Sequence, residues 1–472
     1  MLLKKVLLGA TALSLVYGTV TQAQAQQAQN VIYLVADGAG FNTYLSTNFF
    51  NGAESVQESW PVALAMSTYP LRTESSPGAL QQDTDTVYDP EKNYDETPII
   101  DESLEFAGYD WTSRTAPDSA NTISSSMTGV KTYNNAVNVD GAGNDLLTFA
   151  EFADTMLGLR TGVVTTVQWA DATPAAFSGV SNDSRGNRNE ITDQILNAPY
   201  IDVVIGAGNP DFDNDGAQRE TPDYTWISEA TWTDLLDGDD DGFSAEWQLI
   251  QSREDFNALA NGSLDVNRSR LLGVVQSFDG KQQYRAADGG LDTNYDSLPF
   301  ENMREDVPSL PTMVEGALNV LPDNGFFLGI EQGEVDRSMH SNHLGRTIEA
   351  MTEFNETVAF IDEYLTVNIG DPDRASYDNT LVVVTADHDH LLLGGDSDTV
   401  AFSDPTSNGV GALPNALFQT GGHSNRLIPV FAKGPGSDLL AIRADQEDPG
   451  YGAYLDQADL FQVFVGATTP QP

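Results

Sequence analysis

The sequence predicts an α/β fold with a large, mostly parallel central sheet flanked by helices on both faces. Short continuous apolar runs, which are typical of buried parallel strands, recur along the chain. They lie at residues 31–36, 162–168, 324–330, 380–385 and 427–432. Helical periodicity appears between them, for example in the apolar residues of the 348–365 segment. Because strands that alternate with helices usually build a parallel sheet, these observations favour one α/β architecture.

Metal-competent side chains follow four of these predicted strands. In chain order they are Asp37, then Asp171 with Thr173, then Glu331, and finally Asp387 with His388. Sites in open α/β sheets lie at the carboxyl ends of the strands. We therefore expect these residues to gather at one edge of the sheet.

Histidine is confined to a short part of the sequence. All five histidines lie between positions 340 and 423, in three clusters flanked by Asp or Gly: His340 with His343, His388 with His390, and His423. Neutral imidazole together with carboxylate suits zinc, whereas carboxylate with hydroxyl and water suits magnesium. The chain has no cysteine, so thiolate ligands and disulfides are excluded. The pattern predicts the site of a multi-metal hydrolase.

The first 25 residues are predicted to be a signal peptide. Lys4 and Lys5 precede an apolar run from Val6 to about Val20, and Ala23-Gln24-Ala25 resembles a cleavage site. We expect a protein exported to the periplasm or beyond it. Residues 26–472 show no linker or internal repeat, which favours a single domain. Two acidic, turn-rich stretches, near 72–115 and 209–256, are predicted to be surface insertions.

The net charge of −48 restricts the partners of this protein. Such a charge argues against nucleic acid and anionic membranes, and no stretch of the mature chain approaches the ~20 apolar residues of a spanning helix. Repulsion among so many carboxylates weakens at high ionic strength, because the Debye length falls from ~10 Å at 0.1 M to ~3 Å at 1 M. The composition therefore favours a halophilic or marine source.

Ser119 is the candidate nucleophile. It follows Asp118 and opens a segment rich in small and hydroxyl residues, at or near a predicted helix N-terminus that would favour an anion. Asp-Ser before a helix is, alone, more often an N-cap. A catalytic serine needs a base or a metal to activate it, and the chain offers metal ligands in excess.

These motifs together resemble the alkaline phosphatase family. The resemblance rests on six motifs that follow that family's order along the chain. They are Asp37-Gly38, Asp118-Ser119-Ala120 with Thr128-Gly129, Asp171-Ala-Thr173-Pro174, Glu331 to His340, Asp387-His388 and Gly422-His423. It implies a zinc- and magnesium-dependent phosphomonoesterase with a phosphoserine intermediate and small phosphate monoesters as substrates. It spans about residues 30–466 and implies the fold that the strand pattern already predicts.

Individual roles follow from the resemblance. Ser119 corresponds to the phosphorylated serine, and Arg185 to the arginine that clamps phosphate. The ligands of the first zinc would be Asp336, His340 and His423. Those of the second zinc would be Asp37, Asp387 and His388. Magnesium would be held by Asp37, Thr173 and Glu331, with Asp171 outside its direct ligands.

Several alternatives stay open at this point. Arg188 competes with Arg185 as the phosphate clamp. His343 is expected in solvent or behind the metal ligands, and His390 behind them. The motifs Asp211-Phe-Asp213-Asn-Asp215-Gly216 and Asp237-Gly-Asp239-Asp-Asp241-Gly242 begin like calcium loops but lack the twelfth-position acid, so a structural calcium is a weaker prediction.

The rival functions are a phosphodiesterase or sulfatase of the same superfamily, and a non-enzymatic acidic metal-binding protein. Thr173 and Glu331 favour a third metal site, which such diesterases and sulfatases usually lack by the same resemblance. The absence of cysteine also removes one precursor of the sulfatase aldehyde. The quaternary structure is expected to be a monomer or a homodimer.

Overall fold

The computed structural model describes residues 27–99, 105–239, 241–286, 291 and 297–469, which form alternating strands and helices over most of their length. Its strands are β1 (Asn30–Ala36), β2 (Val62–Ser67), β3 (Arg160–Gln168), β4 (Val203–Ala207), β5 (Trp247–Ile250), β6 (Arg270–Val274), β7 (Phe326–Gln332), β8 (Thr380–Thr385), β9 (Leu392–Gly394), β10 (Ala416–Phe418), β11 (Ile428–Lys433), β12 (Gln446–Asp448) and β13 (Gly452–Asp456). Its helices are α1 (Phe41–Asn51), α2 (Pro90–Asn93), α3 (Ala107–Arg114), α4 (Ser119–Thr128), α5 (Phe149–Leu157), α6 (Ala172–Phe177), α7 (Arg188–Asn197), α8 (Glu229–Asp237), α9 (Arg253–Ala260), α10 (Leu310–Val320), α11 (Glu334–His340), α12 (Leu344–Val367), α13 (Asp438–Arg443) and α14 (Asp459–Thr468). Short 3₁₀ turns lie at Val56–Ser59 and Phe243–Ala245.

Eleven of these strands form one sheet, and the other two, β9 and β10, pair separately. The order across the large sheet is β12-β13-β2-β11-β8-β1-β7-β3-β4-β6-β5. From β8 to β5 all seven strands are parallel, while β11 runs antiparallel to both of its neighbours. The central strands β1, β7 and β8 are buried throughout, as their continuous apolar sequences predict. The prediction of a large, mostly parallel sheet is confirmed.

The strand register places the polar residues of three strands at one height. Val35 of β1 pairs with Glu331 of β7 on one side and with Thr385 of β8 on the other. Asp37 and Asp387 each come two residues later, so they leave the sheet side by side. On the other side of β7, Thr165 of β3 pairs with Glu331. The edge at the carboxyl ends of β8, β1, β7 and β3 is therefore where the site forms.

Two sets of helices cover the sheet. Helices α10 and α12 pack against each other and against β1, β3, β4 and β7. Helices α5 and α6 pack on β3 and β7, and α14 packs on α4 and α5. The 24-residue helix α12 is amphipathic: its buried face includes the apolar residues that predicted it, Ile348, Met351, Phe354, Val358, Ile361 and Leu365. Within the described ranges, no helix is both long and apolar enough to cross a membrane.

The two stretches expected to be surface insertions are more deeply packed than their composition suggests. Residues 72–115 bury Tyr88, Tyr109 and Trp111, and the Thr112 carbonyl accepts a hydrogen bond from the Asn425 N–H at 2.8 Å. This stretch therefore supports the loop that carries His423. The 209–256 stretch contributes β5 to the sheet edge and buries Trp232 and Trp247. The predicted signal peptide, residues 1–25, lies outside the described residues.

Candidate active site

A tight turn after β1 brings Asp37 to the centre of the site. Gly38 has φ of +81°, a conformation that favours glycine, and a Cβ on it would lie 2.7 Å from the ring of His390. The Gly38 N–H donates to Asp387 Oδ1 at 2.9 Å, and the His388 N–H donates to the same oxygen at 3.0 Å. These two bonds fix Asp387 so that its second oxygen, Oδ2, is buried without a hydrogen-bond partner.

One group of metal-competent residues joins α11 to two loops. Asp336, His340, His390 and His423 each offer a ligand atom, and these atoms lie within 4.8 Å of one another. Asp336 Oδ1 is 3.2 Å from His340 Nε2 and 3.3 Å from His423 Nε2, and the two Nε2 atoms are 3.2 Å apart. Asp336 and His340 stand four residues apart on α11, so one helical turn aligns them.

These separations fit a tetrahedral zinc ion. With zinc–ligand bonds of about 2.0–2.1 Å, tetrahedral geometry places neighbouring ligand atoms about 3.3 Å apart. The other ring nitrogens of His340 and His423 lie 2.7 Å and 2.8 Å from the carbonyl oxygens of Gly421 and Pro117. Bonds of this kind fix the ring orientation and leave Nε2 free to bind metal.

His390 belongs to this group in position but not in spacing. Its Nε2 lies 2.7 Å from Asp336 Oδ1, which is a hydrogen-bond length and is shorter than the separation of two ligands of one tetrahedral ion. The ring is fully buried beside Gly38. We therefore interpret His390 as a donor that orients Asp336, in line with its expected place behind the ligands.

The second group consists of Asp37, Asp387 and His388, all of which are buried. His388 Nε2 is 3.3 Å from Asp37 Oδ1 and 3.3 Å from Asp387 Oδ2, again the tetrahedral spacing. Both carboxylate oxygens are buried without a hydrogen-bond partner. Buried polar atoms are normally satisfied, so oxygens left open in this arrangement fit a bound cation.

The three residues assigned to magnesium are also buried at this edge. Glu331 accepts a hydrogen bond from the Thr165 hydroxyl. Thr173 lies in the first turn of α6, and its Oγ1 is buried without a hydrogen-bond partner. Asp37 is close enough to Glu331 for their charges to interact. An all-oxygen set of this kind suits a hard divalent cation.

Crowding of carboxylates perturbs their pKa values. Burial, followed by the charges of Asp387, Asp336 and Glu331, raises the pKa of Asp37 well above its usual range. Burial likewise raises the pKa of Asp387 to about 6 and that of Glu331 to about 7. Burial also holds the pKa of His388 well below its usual range, which favours the neutral imidazole that binds metals. Asp37 and Glu331 would therefore be fully ionised at neutral pH only beside cations.

Ser119 occupies the first turn of α4, beside the second group. Asp118 caps this helix by accepting from the Asn121 N–H at 3.1 Å, so the N-cap interpretation holds for Asp118. Ser119 Oγ lies 3.4 Å from His388 Nε2, and the residue is 3% exposed. The serine hydroxyl therefore points at the second ligand group from the end of a helix whose dipole favours an anion.

Arg185, Arg337 and Asp171 form one wall of the site, here called the arginine wall. Arg185 lies 2.9 Å from Asp171 Oδ1 and 3.4 Å from Asp118 Oδ2, and Arg337 bonds the other oxygen of Asp171. Burial alone would raise the pKa of Asp171, but Arg185 and Arg337 outweigh it and lower that pKa to about 2. Arg188 instead stacks on Trp226 with its guanidinium carbon 4.2 Å from the ring centre. The structure thus places Arg185, rather than Arg188, beside Asp118 and Asp171.

Sequence reasoning missed Arg337. Its position, directly after Asp336 on α11, was the available signal, because neighbouring helix positions point about 100° apart and only one can face the Asp336 ligand group. For His343, one of the two expected positions is excluded. It is fully buried, and its ring nitrogen caps α12 by accepting from the Arg346 N–H at 3.2 Å, so the solvent interpretation is wrong.

The calcium prediction gains no support from the described residues. Asp211 accepts from the Trp232 indole at 2.9 Å, and Asp213 accepts from the backbone N–H of Asp215 and of Ala217. Asp215 accepts from the Ala286 N–H at 2.7 Å. In the part of the chain that the structure describes, the groups of three or more metal-competent Asp, Glu and His side chains are the two around Asp336 and Asp37.

The fold and the two ligand groups define a metal-dependent hydrolase, and comparison with known proteins identifies its family. A model of the alkaline phosphatase family matches residues 28–409. Alkaline phosphatase 3 of Bacillus subtilis is 27% identical over 409 residues, covering 83% of this chain and 70% of its own length. Alkaline phosphatase of Escherichia coli is 27% identical over 362 residues, covering 71% of this chain and 72% of its own.

Solved structures support the same fold. The alkaline phosphatase of the Antarctic bacterium TAB5 aligns with a TM-score of 0.59 at 20% identity, over 95% of this chain and all of its own. The Thermus thermophilus alkaline phosphatase aligns with a TM-score of 0.60 at 17% identity, over 98% of this chain and 95% of its own. The chain belongs to the alkaline phosphatase family, and it is a phosphomonoesterase of that family.

Proposed function

We propose that this chain is an exported alkaline phosphatase that hydrolyses phosphate monoesters through a phosphoserine on Ser119, with two zinc ions and one magnesium ion. One observation carries the proposal. Two groups of ligand atoms, each at the spacing of a tetrahedral ion, lie side by side, with the Ser119 hydroxyl 3.4 Å from the second. Two cations so placed would stabilise the attacking and leaving oxygens of an in-line displacement.

Ser119 acts as the nucleophile in this proposal. Its hydroxyl is a weak nucleophile unless its proton is removed or its oxygen is bound to a cation. The ring of His388 is held neutral by burial, which leaves Nε2 to bind metal and keeps it from acting as a cation itself. The α4 N-terminus favours the negative charge that develops on the serine oxygen and on the phosphoryl group.

Arg185 holds the phosphoryl group. Its planar guanidinium can donate two parallel hydrogen bonds to two phosphoryl oxygens, which an ammonium group cannot do. Asp118 and Asp171 hold it from behind at 3.4 Å and 2.9 Å. A clamp fixed in advance loses less conformational freedom when the substrate binds.

The proposed assignment of metals follows the ligand chemistry. Asp336, His340 and His423 would hold the first zinc, and Asp37, Asp387 and His388 the second. Asp37, Thr173 and Glu331 would hold magnesium through oxygen atoms alone. A variant of the Antarctic relative is described with Mg bound in its M3 site, which supports a third site here.

The buried Thr173 and Glu331 favour a monoesterase over a phosphodiesterase or sulfatase of the same superfamily. Both side chains lie at the sheet edge and are 1% exposed, so Glu331 would be a buried, uncompensated carboxylate without a cation. We also propose export to the periplasm or the medium, from the predicted signal peptide. Adaptation to salt is proposed from the charge of −48, and activity is expected to rise between 0.1 M and 2 M NaCl.

The test is metal depletion and reconstitution of the mature chain. Hydrolysis of p-nitrophenyl phosphate at high pH should disappear with a chelator and return with zinc plus magnesium. Bis-p-nitrophenyl phosphate and p-nitrophenyl sulfate serve as matched diester and sulfate substrates. Activity that survives complete metal removal would contradict the proposal, as would a preference for the diester or the sulfate.

A further inference from the structure

A small cavity adjoins the arginine wall, and its lining carries more positive than negative charge. It has a volume of about 220 Å³ and is lined in part by Arg185, Arg188, Arg337, Asp171 and Asp279. Three guanidinium groups therefore face two carboxylates. In a chain whose net charge is −48, this local excess of positive charge is unusual, and it lies beside the proposed phosphoryl site. Charge of this sign attracts anions.

The guanidinium of Arg188 has no carboxylate within ion-pair distance among the described residues. Its contact there is with Trp226, over whose ring it lies at 4.2 Å. The stacking fixes the guanidinium at the cavity while leaving its N–H groups available. Arg188 is also the first residue of α7, whose first turn carries Glu190, and the side chain of the preceding Asn187 accepts no capping hydrogen bond from that helix. The free N–H groups of a ten-residue helix thus add to the attraction for an anion.

Two further observations mark the cavity as a polar binding site. Arg337 uses one nitrogen for Asp171, and its other guanidinium nitrogens make no hydrogen bond within the described part of the chain. Gln168, which lines the cavity and is 3% exposed, has its Oε1 buried without a donor. A buried acceptor of this kind calls for a hydroxyl or a water molecule.

The walls of the cavity are held in place by the acidic 209–256 stretch. Asn214 donates to Asp279 Oδ2 at 2.9 Å and accepts from the Asp279 N–H at 2.8 Å. Gln168 donates to the other Asp279 oxygen at 3.2 Å, and Arg219 stacks on Phe278 at 4.6 Å. The loop whose sequence begins like a calcium site therefore holds Asp279 in position at the cavity. A ligand that binds a preorganised site loses less conformational entropy than one that binds mobile loops.

We propose that this cavity binds a second phosphate group of the substrate, so that the enzyme prefers phosphate esters whose alcohol part carries another phosphate. The inference rests on the proposed function, because Arg185 borders both the cavity and the phosphoryl site. The volume suits one anionic group and a few carbon atoms, and it is below the ~300 Å³ of a complete ligand pocket. Arg188 and Arg337 are the residues that recognise the second phosphate, and Gln168 accepts from a hydroxyl of the linking carbons.

The test compares kcat/KM for propyl phosphate with kcat/KM for the bisphosphates of 1,2-ethanediol, 1,3-propanediol and 1,4-butanediol. We expect kcat/KM for at least one bisphosphate to be higher than kcat/KM for propyl phosphate. Arg188→Gln should reduce the ratio of the two values about tenfold, which is the usual scale of one charge-assisted hydrogen bond. Arg374→Gln is the matched control. It removes an exposed arginine that also stacks on a ring, at 5.9 Å from Tyr364, but lies outside the cavity lining.

A binding measurement separates this inference from the proposed function. In the Ser119→Ala background, calorimetry should show tighter binding of the bisphosphate than of propyl phosphate, and Arg188→Gln should remove the difference. If no ester is hydrolysed by the wild type, the proposed function fails, while this comparison still decides the role of the cavity. Equal affinities for the two ligands, or a preference that survives Arg188→Gln, would overturn the inference.

Discussion

The metal side of the site and its arginine side neutralise their buried carboxylates in different ways. On the metal side, Asp37, Asp387 and Glu331 crowd together, and burial raises their pKa values with no lysine or arginine to offset it. On the arginine side, Asp171 is equally buried, yet Arg185 and Arg337 lower its pKa to about 2. The protein alone completes the arginine side, whereas Asp37 and Glu331 on the metal side need bound cations to be fully ionised at neutral pH.

This difference predicts which part of the site depends on metals. Removing the ions should leave Arg185 and Asp171 in place, because their ion pair at 2.9 Å needs no ligand. The same removal should destabilise the metal side, where buried carboxylates would have to be protonated or unpaired.

The largest effect is expected at Ser119, where the two sides meet. Ser119→Ala should lower kcat/KM for p-nitrophenyl phosphate by at least about 10³-fold, because no other hydroxyl takes its place as nucleophile. Its metal content should remain that of the wild type, since Asp37, Asp387 and His388 still offer the ligands of the second group. Ser125→Ala on the same helix is the control, as among the described residues the Ser125 hydroxyl bonds only the Asn121 carbonyl. Comparable activity in Ser119→Ala and wild type would refute the phosphoserine route.

The next effect concerns Glu331 in the metal-free protein. Burial raises its pKa from 4.5 to about 7, so the folded state holds the proton more tightly than the unfolded chain does. The contribution of Glu331 to stability is therefore present below pH 4.5 and is lost as the pH rises to about 7. Relative to metal-free Glu331→Gln, the metal-free wild type should lose roughly 3 kcal/mol of unfolding free energy across this window.

Urea unfolding in the presence of a chelator, at intervals from pH 4.5 to pH 8, would measure this difference. Using the difference between two proteins cancels the titration of the other buried groups, including the histidines. Glu315→Gln, at an exposed position of α10, supplies the control. A difference that is flat with pH would show that Glu331 is not the uncompensated carboxylate of the metal side.

On the arginine side, Arg185 and Arg188 can be compared by the same substitution. Arg185→Lys should lower kcat/KM for p-nitrophenyl phosphate by about 10- to 100-fold, because lysine keeps the charge but cannot donate two parallel bonds to the phosphoryl group. Arg188→Lys should change kcat/KM for this substrate by less than about threefold, because an exposed charge far from the reacting group contributes little. The reverse order of the two effects would make Arg188 the phosphate clamp.

The smallest effect is expected at His343, three residues from the proposed ligand His340. His343→Ala should cost about 1–2 kcal/mol of stability, because it removes the N-cap of α12, and should leave the metal content unchanged. His343→Asn, which restores a capping side chain, should recover most of that loss. Thermal unfolding together with metal analysis would check both. Loss of metal in His343→Ala would place this residue on the metal side.

The metal side was predictable from the sequence because parallel strands impose its geometry. Asp37, Glu331 and Asp387 each stand at a strand end, and the register of β1, β7 and β8 brings such ends together. The clustering of histidines singled out His423, but its role as a ligand came only from the family resemblance, because its loop precedes the antiparallel strand β11 and no strand rule places it there.

The arginine side was only partly predictable because loops and insertions build it. Arg337 adjoins a ligand in sequence, but only the turn of α11 shows that it faces Asp171. Trp226 and Asn214 lie in a stretch whose acidic composition suggested a surface insertion, and their packing depends on contacts with distant segments. For His343 the solvent alternative was wrong, since its burial follows from the path of α12 and not from any local pattern.

Anomalous scattering at the zinc edge, from crystals of the reconstituted mature chain, tests the central claim most directly. The account predicts two strong zinc peaks, one among Asp336, His340 and His423 and the other among Asp37, Asp387 and His388. The third site, beside Thr173 and Glu331, should show no anomalous zinc peak after magnesium is supplied. Zinc at neither group, in protein that hydrolyses p-nitrophenyl phosphate, would contradict the account.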